Sequence, residues 1–156
     1  MGVTGAGKTT VGKLLASELG WQFADADDFH PAANVEKMRH GVPLDDEDRK
    51  PWLERLRVEI TRWVAIKSNV VLACSALKRI YRQEVNVSSQ VRFVYLKGSA
   101  ALIAERLHSR HGHFADEHIL SGQFADLEEP ADAVTVEISA TPQQIVSEIR
   151  QKLGLA

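Results

Sequence analysis

A glycine-rich run at the start of the chain has the residue types of a phosphate-binding loop. Residues 2–9 read G-V-T-G-A-G-K-T and match the pattern G-x-x-x-x-G-K-[ST]. Glycines allow close backbone approach, so that N–H groups can turn inward around phosphate oxygens. Lys8 can reach the β- and γ-phosphates, and the Thr9 hydroxyl can bind Mg²⁺. The predicted nucleotide-binding residues of the loop are Gly2, Val3, Thr4, Gly5, Ala6, Gly7, Lys8, Thr9 and Thr10.

An acidic cluster, D-A-D-D at residues 25–28, follows a short apolar run and can serve a phosphoryl acceptor. Ligands of parallel α/β sheets lie at the carboxyl ends of the strands, which places this cluster beside the loop. A kinase needs a carboxylate to orient and deprotonate the acceptor hydroxyl, and can use another to hold Mg²⁺ through water. Asp27 is the preferred base and Asp25 the second choice; Asp25 and Thr9 are the predicted metal ligands. The plainer interpretation is a solvated acidic turn that caps the next helix.

Several basic residues have positions that suit an anionic substrate or a transferring phosphoryl group. Lys78 and Arg82 are four apart and follow an apolar run, so they can share a helix face near a strand end. Arg106 and Arg110 are also four apart and could close over the phosphates. Arg49 is the fifth candidate. Spacing alone fits a solvated helix charge equally well for each of them.

Four histidines, at positions 108, 111, 113 and 118, crowd one stretch and raise the question of a metal site. Their spacing matches no closed four-ligand zinc pattern, and the single cysteine, Cys74, is far away in the sequence. We therefore predict no zinc site.

The elements that must position these residues alternate between strand and helix. Predicted strands are 21–24, 70–74, 91–96 and 134–138. Predicted helices are 8–19 (ending at Gly20), 31–38, 100–110, 142–153, and one that follows Asp45 or Asp46 and carries Leu53, Leu56, Ile60, Trp63 and Val64 on one face. This alternation predicts an α/β fold with a mainly parallel sheet covered on both sides.

Length and composition limit the classes of protein. The 156 residues predict one domain, residues 1–156, and a formal charge of −2 gives no general attraction to nucleic acid. No apolar run reaches the roughly 18 residues that a membrane span needs. The lone cysteine and the glycine-rich turn directly after Met1, where a signal peptide would lie, favour the cytoplasm.

Only Met1 precedes the loop, although a phosphate-binding loop normally follows a strand. The start could be assigned too late, the chain could be shortened, or the sheet could be built without that strand. Losing a central strand leaves its neighbours' backbone groups unpaired, at a cost of about 1–3 kcal/mol per buried group. We therefore expect residues upstream of Met1.

Several nucleotide-binding classes share such a loop. A GTPase should carry N-K-x-D, which the chain lacks, and a large motor ATPase needs more chain. A compact kinase fits the length. The alternatives are a kinase of the same fold for another acceptor, such as shikimate or a nucleotide, a non-catalytic ATP-binding switch, and an inactive remnant.

Further motifs make the chain resemble a known family. They are D-A-D-D-F-H-P at 25–31, N-V-E-K-M at 34–38, G-V-P-L at 41–44, D-D-E-D-R-K-P-W at 45–52, C-S-A-L-K at 74–78 with Tyr81-Arg82, G-H-F at 112–114, and Q-F at 123–124 with L-E at 127–128. With the loop, this ordered set resembles the gluconate kinases of the thermoresistant type over nearly the whole chain.

The resemblance implies transfer of the γ-phosphate of ATP to the 6-hydroxyl of D-gluconate, giving 6-phospho-D-gluconate and ADP, with Mg²⁺ as cofactor. It implies a three-layer P-loop fold with a five-stranded parallel sheet, an acceptor region at 30–55 and a lid at 108–122, and it allows a homodimer. The implied catalytic residues are Lys8, Asp27, Asp25 and Arg110. Arg106 and Arg110 are the implied nucleotide contacts outside the loop. The implied substrate-binding residues are Asp27, His30, Arg49, Trp52, Ser75, Lys78, Arg82 and His113.

Overall fold

The computed structural model describes the backbone of residues 1–111 and 115–156 and the side chains of residues 1–109 and 118–156. The helices in these ranges are α1 (Lys8–Leu19), α2 (Ala32–Arg39), α3 (Asp46–Ala65), α4 (Arg79–Val85), α5 (Ala100–His111), α6 (Ala115–Asp126) and α7 (Pro142–Leu153). The strands are β1 (Gln22–Asp25), β2 (Val70–Ala73), β3 (Val94–Lys97) and β4 (Val134–Glu137), and a 3₁₀ turn covers Ala26–Phe29. In this part of the chain no helix is both long enough and apolar enough to span a membrane.

The strands form two parallel pairs. β1 pairs with β2, with Phe23 opposite Val71, and β3 pairs with β4, with Tyr95 opposite Thr135. Parallel strands joined by helices confirm the predicted α/β class. The expected count of five strands differs from what the described residues show, which is four strands in two separate pairs.

Helices cover both faces of β2, as the continuous apolar run at 70–74 predicted. Successive strand residues point to opposite faces of a sheet. Val71 packs against a core formed mainly by α1, α5, α7, β3 and β4. Leu72, the next residue, packs against a second core centred on α3 and α4. Three layers therefore meet at this strand, and its carboxyl end is held between two cores.

Local capping chemistry explains the helix ends that the sequence predicted well. Gly20 ends α1 in the left-handed conformation at φ 66°. Asp45 caps α3, and its side chain and that of Asp48 each accept a hydrogen bond from the other's backbone N–H. Thr141 caps α7 in the same reciprocal way with Gln144.

Other boundaries differ from the predictions. The helix predicted at 31–38 begins at Ala32, because Pro31 is its extended N-cap. The strand predicted from Val91 begins at Val94, because Val91 closes a turn by donating to the Ser88 carbonyl at 3.0 Å. The predicted lid, 108–122, spans the end of α5 and the first part of α6, and its residues 112–114 lie outside the described part of the chain.

Candidate active site

The glycine-rich loop turns tightly into the amino end of α1. Gly7 caps this helix in a left-handed conformation at φ 92°, which residues with a Cβ rarely adopt. A Cβ on Gly2 would lie 2.9 Å from the Leu96 carbonyl oxygen, so the loop can pass this close only with glycine there. The amino end of α1, with its unpaired N–H groups and positive dipole end, therefore faces the interior of the loop.

Lys8 lies across the loop. Its Nζ donates a hydrogen bond to the Val3 carbonyl oxygen at 2.9 Å. Burial lowers the pKa of the Lys8 ammonium, and the negative charges of Asp27 and Asp25 oppose that shift. The ammonium is therefore poorly solvated, so that a phosphate bound beside it would meet little competition from water.

α6 contributes a contact to the loop that the sequence did not predict. The Thr4 N–H donates to Gln123 Oε1 at 2.6 Å, across 119 residues of sequence. Gln123 belongs to the Q-F motif noted above, and that motif was the only signal that could have identified it. The contact joins the phosphate-binding loop to α6, the helix whose first part lies in the predicted lid.

The two candidate carboxylates stand where β1 ends. Asp25 caps the 3₁₀ turn by accepting the Asp27 N–H at 3.0 Å. The Asp27 side chain is 81% exposed, so an acceptor could reach it. The protein on one side of the Asp27 carboxyl still removes part of its water, which raises its pKa; Asp25 adds to the rise, and His30 and Lys8 counteract it. A raised pKa makes a carboxylate a stronger base than an ordinary aspartate.

His30 joins these carboxylates to the acceptor region. Its Nε2 lies 3.9 Å from Asp27 Oδ1, and its side chain is 5% exposed. Its ring stacks on Trp52, with centroids 4.6 Å apart. Asn34, 3% exposed, lies with Nδ2 3.2 Å from His30 Nδ1; with that amide donating, the imidazole proton is on Nε2, facing Asp27. Burial lowers the His30 pKa, which keeps the ring neutral at pH 7.

Trp52 is a core residue that also shapes the site. Its side chain is buried, and its indole Nε1 donates to the Ala26 carbonyl oxygen at 2.7 Å. This bond ties α3 to the turn that carries Asp27. The structure therefore gives Trp52 a supporting position behind His30, and direct substrate contact remains a prediction.

Arg49 and Lys78 meet around one carboxylate. Lys78 Nζ donates to Asp46 Oδ1 at 2.9 Å, the Tyr81 hydroxyl donates to the same oxygen, and Arg49 Nη1 donates to the Tyr81 hydroxyl at 3.1 Å. The Tyr81 bond, followed by the Lys78 bond, lowers the pKa of the Asp46 carboxyl. The sequence predicted Arg49 and Lys78 but gave no role to Tyr81 or Asp46. Together these side chains form a cationic cluster that binds a carboxylate.

The remaining candidates are placed differently. Arg82 is 7% exposed and its Nη1 donates to the Ala76 and Leu77 carbonyl oxygens, both at 2.9 Å, so it holds the loop after β2. Arg106 Nη2 donates to the Ile138 carbonyl oxygen beyond β4. Ser75 accepts the Gly2 N–H at 3.2 Å through its backbone carbonyl. The side chain of Arg110 and the whole of His113 lie outside the described residues.

The residues proposed for Mg²⁺ suit that ion. Thr9 presents an exposed side chain in the first turn of α1, and Asp25 is close enough to Lys8 to act on its pKa. Hydroxyl and carboxylate oxygens are hard ligands, and Mg²⁺ usually takes only one or two from the protein, with phosphates and waters supplying the others. Across the described residues there is no cluster of three or more His, Cys, Asp or Glu side chains that could hold a metal. Thr9 and Asp25 therefore fit a metal that is shared with a nucleotide.

Comparisons with known proteins agree on one group of enzymes. The model of the shikimate kinase family matches residues 4–154. A probable gluconokinase of Xenopus tropicalis is 43% identical, over 96% of this chain and 88% of its own length. A gluconokinase of Gluconobacter oxydans is 46% identical, over 85% of this chain and 75% of its own. The crystal structure of a gluconokinase from Sinorhizobium meliloti is 40% identical with a TM-score of 0.86, over 99% of this chain and 89% of that one.

Proposed function

The chain belongs to the gluconokinase family, and we propose that it transfers the γ-phosphoryl group of ATP to the 6-hydroxyl of D-gluconate. The products are 6-phospho-D-gluconate and ADP. The observation that carries this proposal is a row of polar side chains that lie within electrostatic or hydrogen-bonding range of one another. It runs from Lys8 through Asp27 and His30 to Arg49 and Lys78, from a phosphate-binding loop to a carboxylate-binding cluster.

The row suits the shape of a sugar acid. An aldonate carries its reacting hydroxyl at one end and a carboxylate at the other, with hydroxyl groups between them. Asp27 lies at the loop end of the row, where its carboxylate can accept a hydrogen bond from the reacting hydroxyl. The cationic cluster lies at the far end, where Lys78, Tyr81 and Arg49 already surround the Asp46 carboxylate. The substrate carboxylate would replace Asp46 there.

Phosphoryl transfer at this site is mainly a matter of position and electrostatics. The 6-hydroxyl oxygen bonds to the γ-phosphorus as the bond from that phosphorus to the β,γ-bridging oxygen of ATP breaks. Asp27 accepts the hydroxyl proton, and ADP leaves with the bridging oxygen. Lys8 stabilises charge on the transferring group. Mg²⁺ bound at Thr9 and Asp25 would neutralise phosphate charge, and Arg110 on the proposed lid would add a further cation.

His30 is proposed to orient the acceptor and Asp27. Its ring is neutral and cannot turn freely, because Trp52 covers one face and Asn34 contacts Nδ1. A fixed Nε2–H donor at this place can hold either the Asp27 carboxylate or a substrate hydroxyl. His113 on the lid, a cytoplasmic location and a homodimer remain predictions.

A coupled assay for ADP release tests the activity. The purified protein is given Mg·ATP with D-gluconate, shikimate, glycerate or AMP in parallel reactions, and ATP binding is measured separately by calorimetry. Turnover with gluconate alone supports the proposal. Turnover with shikimate or AMP instead would assign a different acceptor to the same fold, and tight ATP binding without turnover on any acceptor would favour a non-catalytic binding protein.

A further inference from the structure

The end of α6 and the two residues after it, 123–128, contact two loops of the proposed site, and we call them the bridge segment. Its apolar side chains, Phe124 and Leu127, pack with Leu120 against the larger core. Residues spaced i, i+4 and i+7 lie on one face of a helix. Val3 of the phosphate-binding loop belongs to the same core. The bridge segment is therefore anchored in the core beneath that loop.

The first polar contact of the bridge segment is with the phosphate-binding loop. The Thr4 N–H donates to Gln123 Oε1 at 2.6 Å, and the bond is partly buried. The Gly2 N–H donates to the Ser75 carbonyl oxygen at 3.2 Å, which holds the start of the loop against the chain after β2. Gln123 holds the loop two residues further on. Because backbone N–H groups surround the phosphates in such a loop, the direction of the Thr4 peptide affects where the phosphates lie.

The second set of contacts is with the chain that follows β2. The Glu128 N–H donates to the Leu77 carbonyl oxygen at 2.9 Å, and Glu128 Oε2 accepts the Arg79 N–H at 2.5 Å. Arg79 is the first residue of α4, and the first N–H groups of a helix have no partner within it. Asp126 Oδ1 lies 4.0 Å from Lys78 Nζ. The bridge segment thus holds the chain on both sides of Lys78, a residue of the cationic cluster.

These contacts connect the two ends of the proposed site through six consecutive residues. One end of the site carries the γ-phosphate and the other carries the substrate carboxylate. Transfer requires the reacting atoms to lie about 3–3.5 Å apart, and a displacement of about 1 Å can cost about 10²-fold in rate. A segment that fixes both ends therefore controls the distance over which the phosphoryl group is transferred.

We propose that Gln123 and Glu128 are positioning residues for phosphoryl transfer. Gln123 acts through the Thr4 peptide, and Glu128 acts through the first turn of α4. Neither side chain has to touch the substrate. The inference rests on the proposed function, because it takes the acceptor to be gluconate with its carboxylate held at Lys78.

The test uses variants that remove one hydrogen-bond acceptor at a time. Gln123→Met and Glu128→Met lose the oxygen and keep much of the side-chain volume. Glu128→Gln keeps an oxygen for the Arg79 N–H and is the conservative rescue. Glu129→Gln is the control, because Glu129 Oε2 accepts from Lys97 Nζ at 3.3 Å, outside the bridge segment. Tm, kcat, KM for ATP and KM for gluconate are measured for each variant and for the double methionine variant, with assays run well below the lowest Tm.

We expect each single methionine variant to lower kcat by at least about tenfold, because the reacting atoms are no longer held at the right distance. Both KM values should stay within about threefold of the parent, since the groups that bind phosphate and carboxylate are unchanged. Glu128→Gln and Glu129→Gln should keep the parent kcat. The double variant should lose less than the product of the two single losses, because residues that act as a unit are not additive.

A parent-like kcat in both methionine variants would overturn the inference, even with a lowered Tm, because the contacts would then give structural support only. A loss in the double variant equal to the product of the single losses would overturn it as well, since the two bonds would then act separately. A parent protein that does not phosphorylate gluconate would overturn the proposed function itself. The two failures are thus distinguished by the activity of the parent.

Discussion

The imidazole of His30 lies flat against the indole of Trp52, with ring centroids 4.6 Å apart and ring planes within 11° of parallel. This stack joins the two ends of the proposed acceptor site. Trp52 belongs to α3, the helix that carries Arg49, and its indole bonds to Ala26 next to Asp27. A change that moves α3 would therefore displace the proposed base as well as the carboxylate-binding cluster.

Asp27→Asn should lower kcat with gluconate by about 10²–10⁴-fold, the usual contribution of a general base. The amide keeps the size of the side chain but cannot accept the hydroxyl proton. ATP affinity, measured by calorimetry, should change little. Asp28→Asn is the matched control, because Asp28 is an exposed acidic neighbour in the same turn. Near-normal turnover in Asp27→Asn would move the role of base to Asp25.

The pH dependence of turnover should reflect the raised pKa of Asp27. A raised pKa means that the protonated, inactive carboxyl persists to higher pH, so the acid limb of kcat/KM should lie above the ordinary aspartate value of about 3.9. In the acid range where His30 is protonated, its positive charge lowers the Asp27 pKa, so His30→Gln should move that limb to still higher pH. His40→Gln, at an exposed position of the acceptor region, should leave the limb in place. An acid limb that stays unmoved in His30→Gln would contradict this coupling.

The parts of the fold that were predictable are those governed by local signals. Apolar spacing and caps placed α1 and α7, and a continuous apolar run placed β2. The apolar pattern did not predict α4, which has only seven residues and was indicated only by the spacing of Lys78 and Arg82, and it did not predict α6. Short helices whose burial depends on distant partners leave a weak periodic signal.

In the site, too, contacts between residues close in sequence were predictable and contacts between distant residues were not. The loop, Asp25, Asp27 and His30 are close in sequence, and a motif could bring them together. The contact of Asp46 with Lys78 joins residues 32 apart, and that of Thr4 with Gln123 joins residues 119 apart. Both depend on how α3 and α6 pack, which composition and spacing do not determine. The sequence spacing of Arg82 suited a residue that binds substrate. Only the fold shows that its guanidinium points to the Ala76 and Leu77 carbonyl oxygens instead.

Lys8→Ala should reduce kcat by at least about 10²-fold, the typical cost of removing one group that stabilises charge in a transition state. The ammonium has few competing solvent contacts, so alanine leaves nothing to replace it at the γ-phosphate. Steady-state assays at saturating Mg·ATP measure the loss. Lys13→Ala, on the exposed face of the same helix, is the control and should retain the parent rate. A parent-like rate in Lys8→Ala would refute the proposed role of the loop in transfer.

Asp46→Asn should lower KM for gluconate by about three- to tenfold with kcat unchanged, since about 1.4 kcal/mol corresponds to tenfold. The asparagine side-chain oxygen can still accept hydrogen bonds from Lys78 and Tyr81. Because it is neutral, it competes less well than a substrate carboxylate for these two donors. Glu47→Gln changes a neighbouring charge that pairs with Lys50 instead, and should leave KM as it is. A raised KM in Asp46→Asn would mean that Asp46 positions Lys78 for the substrate and does not hold the place of its carboxylate.

Arg82→Met should destabilise the protein while leaving KM for gluconate nearly unchanged. The methionine keeps the apolar stem but leaves the Ala76 and Leu77 carbonyls without their donor, and an unsatisfied buried group costs about 1–3 kcal/mol. Urea unfolding measures the loss, and Arg79→Met, at an exposed position of the same helix, should unfold like the parent. A guanidinium that instead contacted substrate would give the opposite pair of results, with stability retained and KM raised at least tenfold. The two readouts together thus separate an arginine that supports the loop after β2 from one that binds the sugar acid.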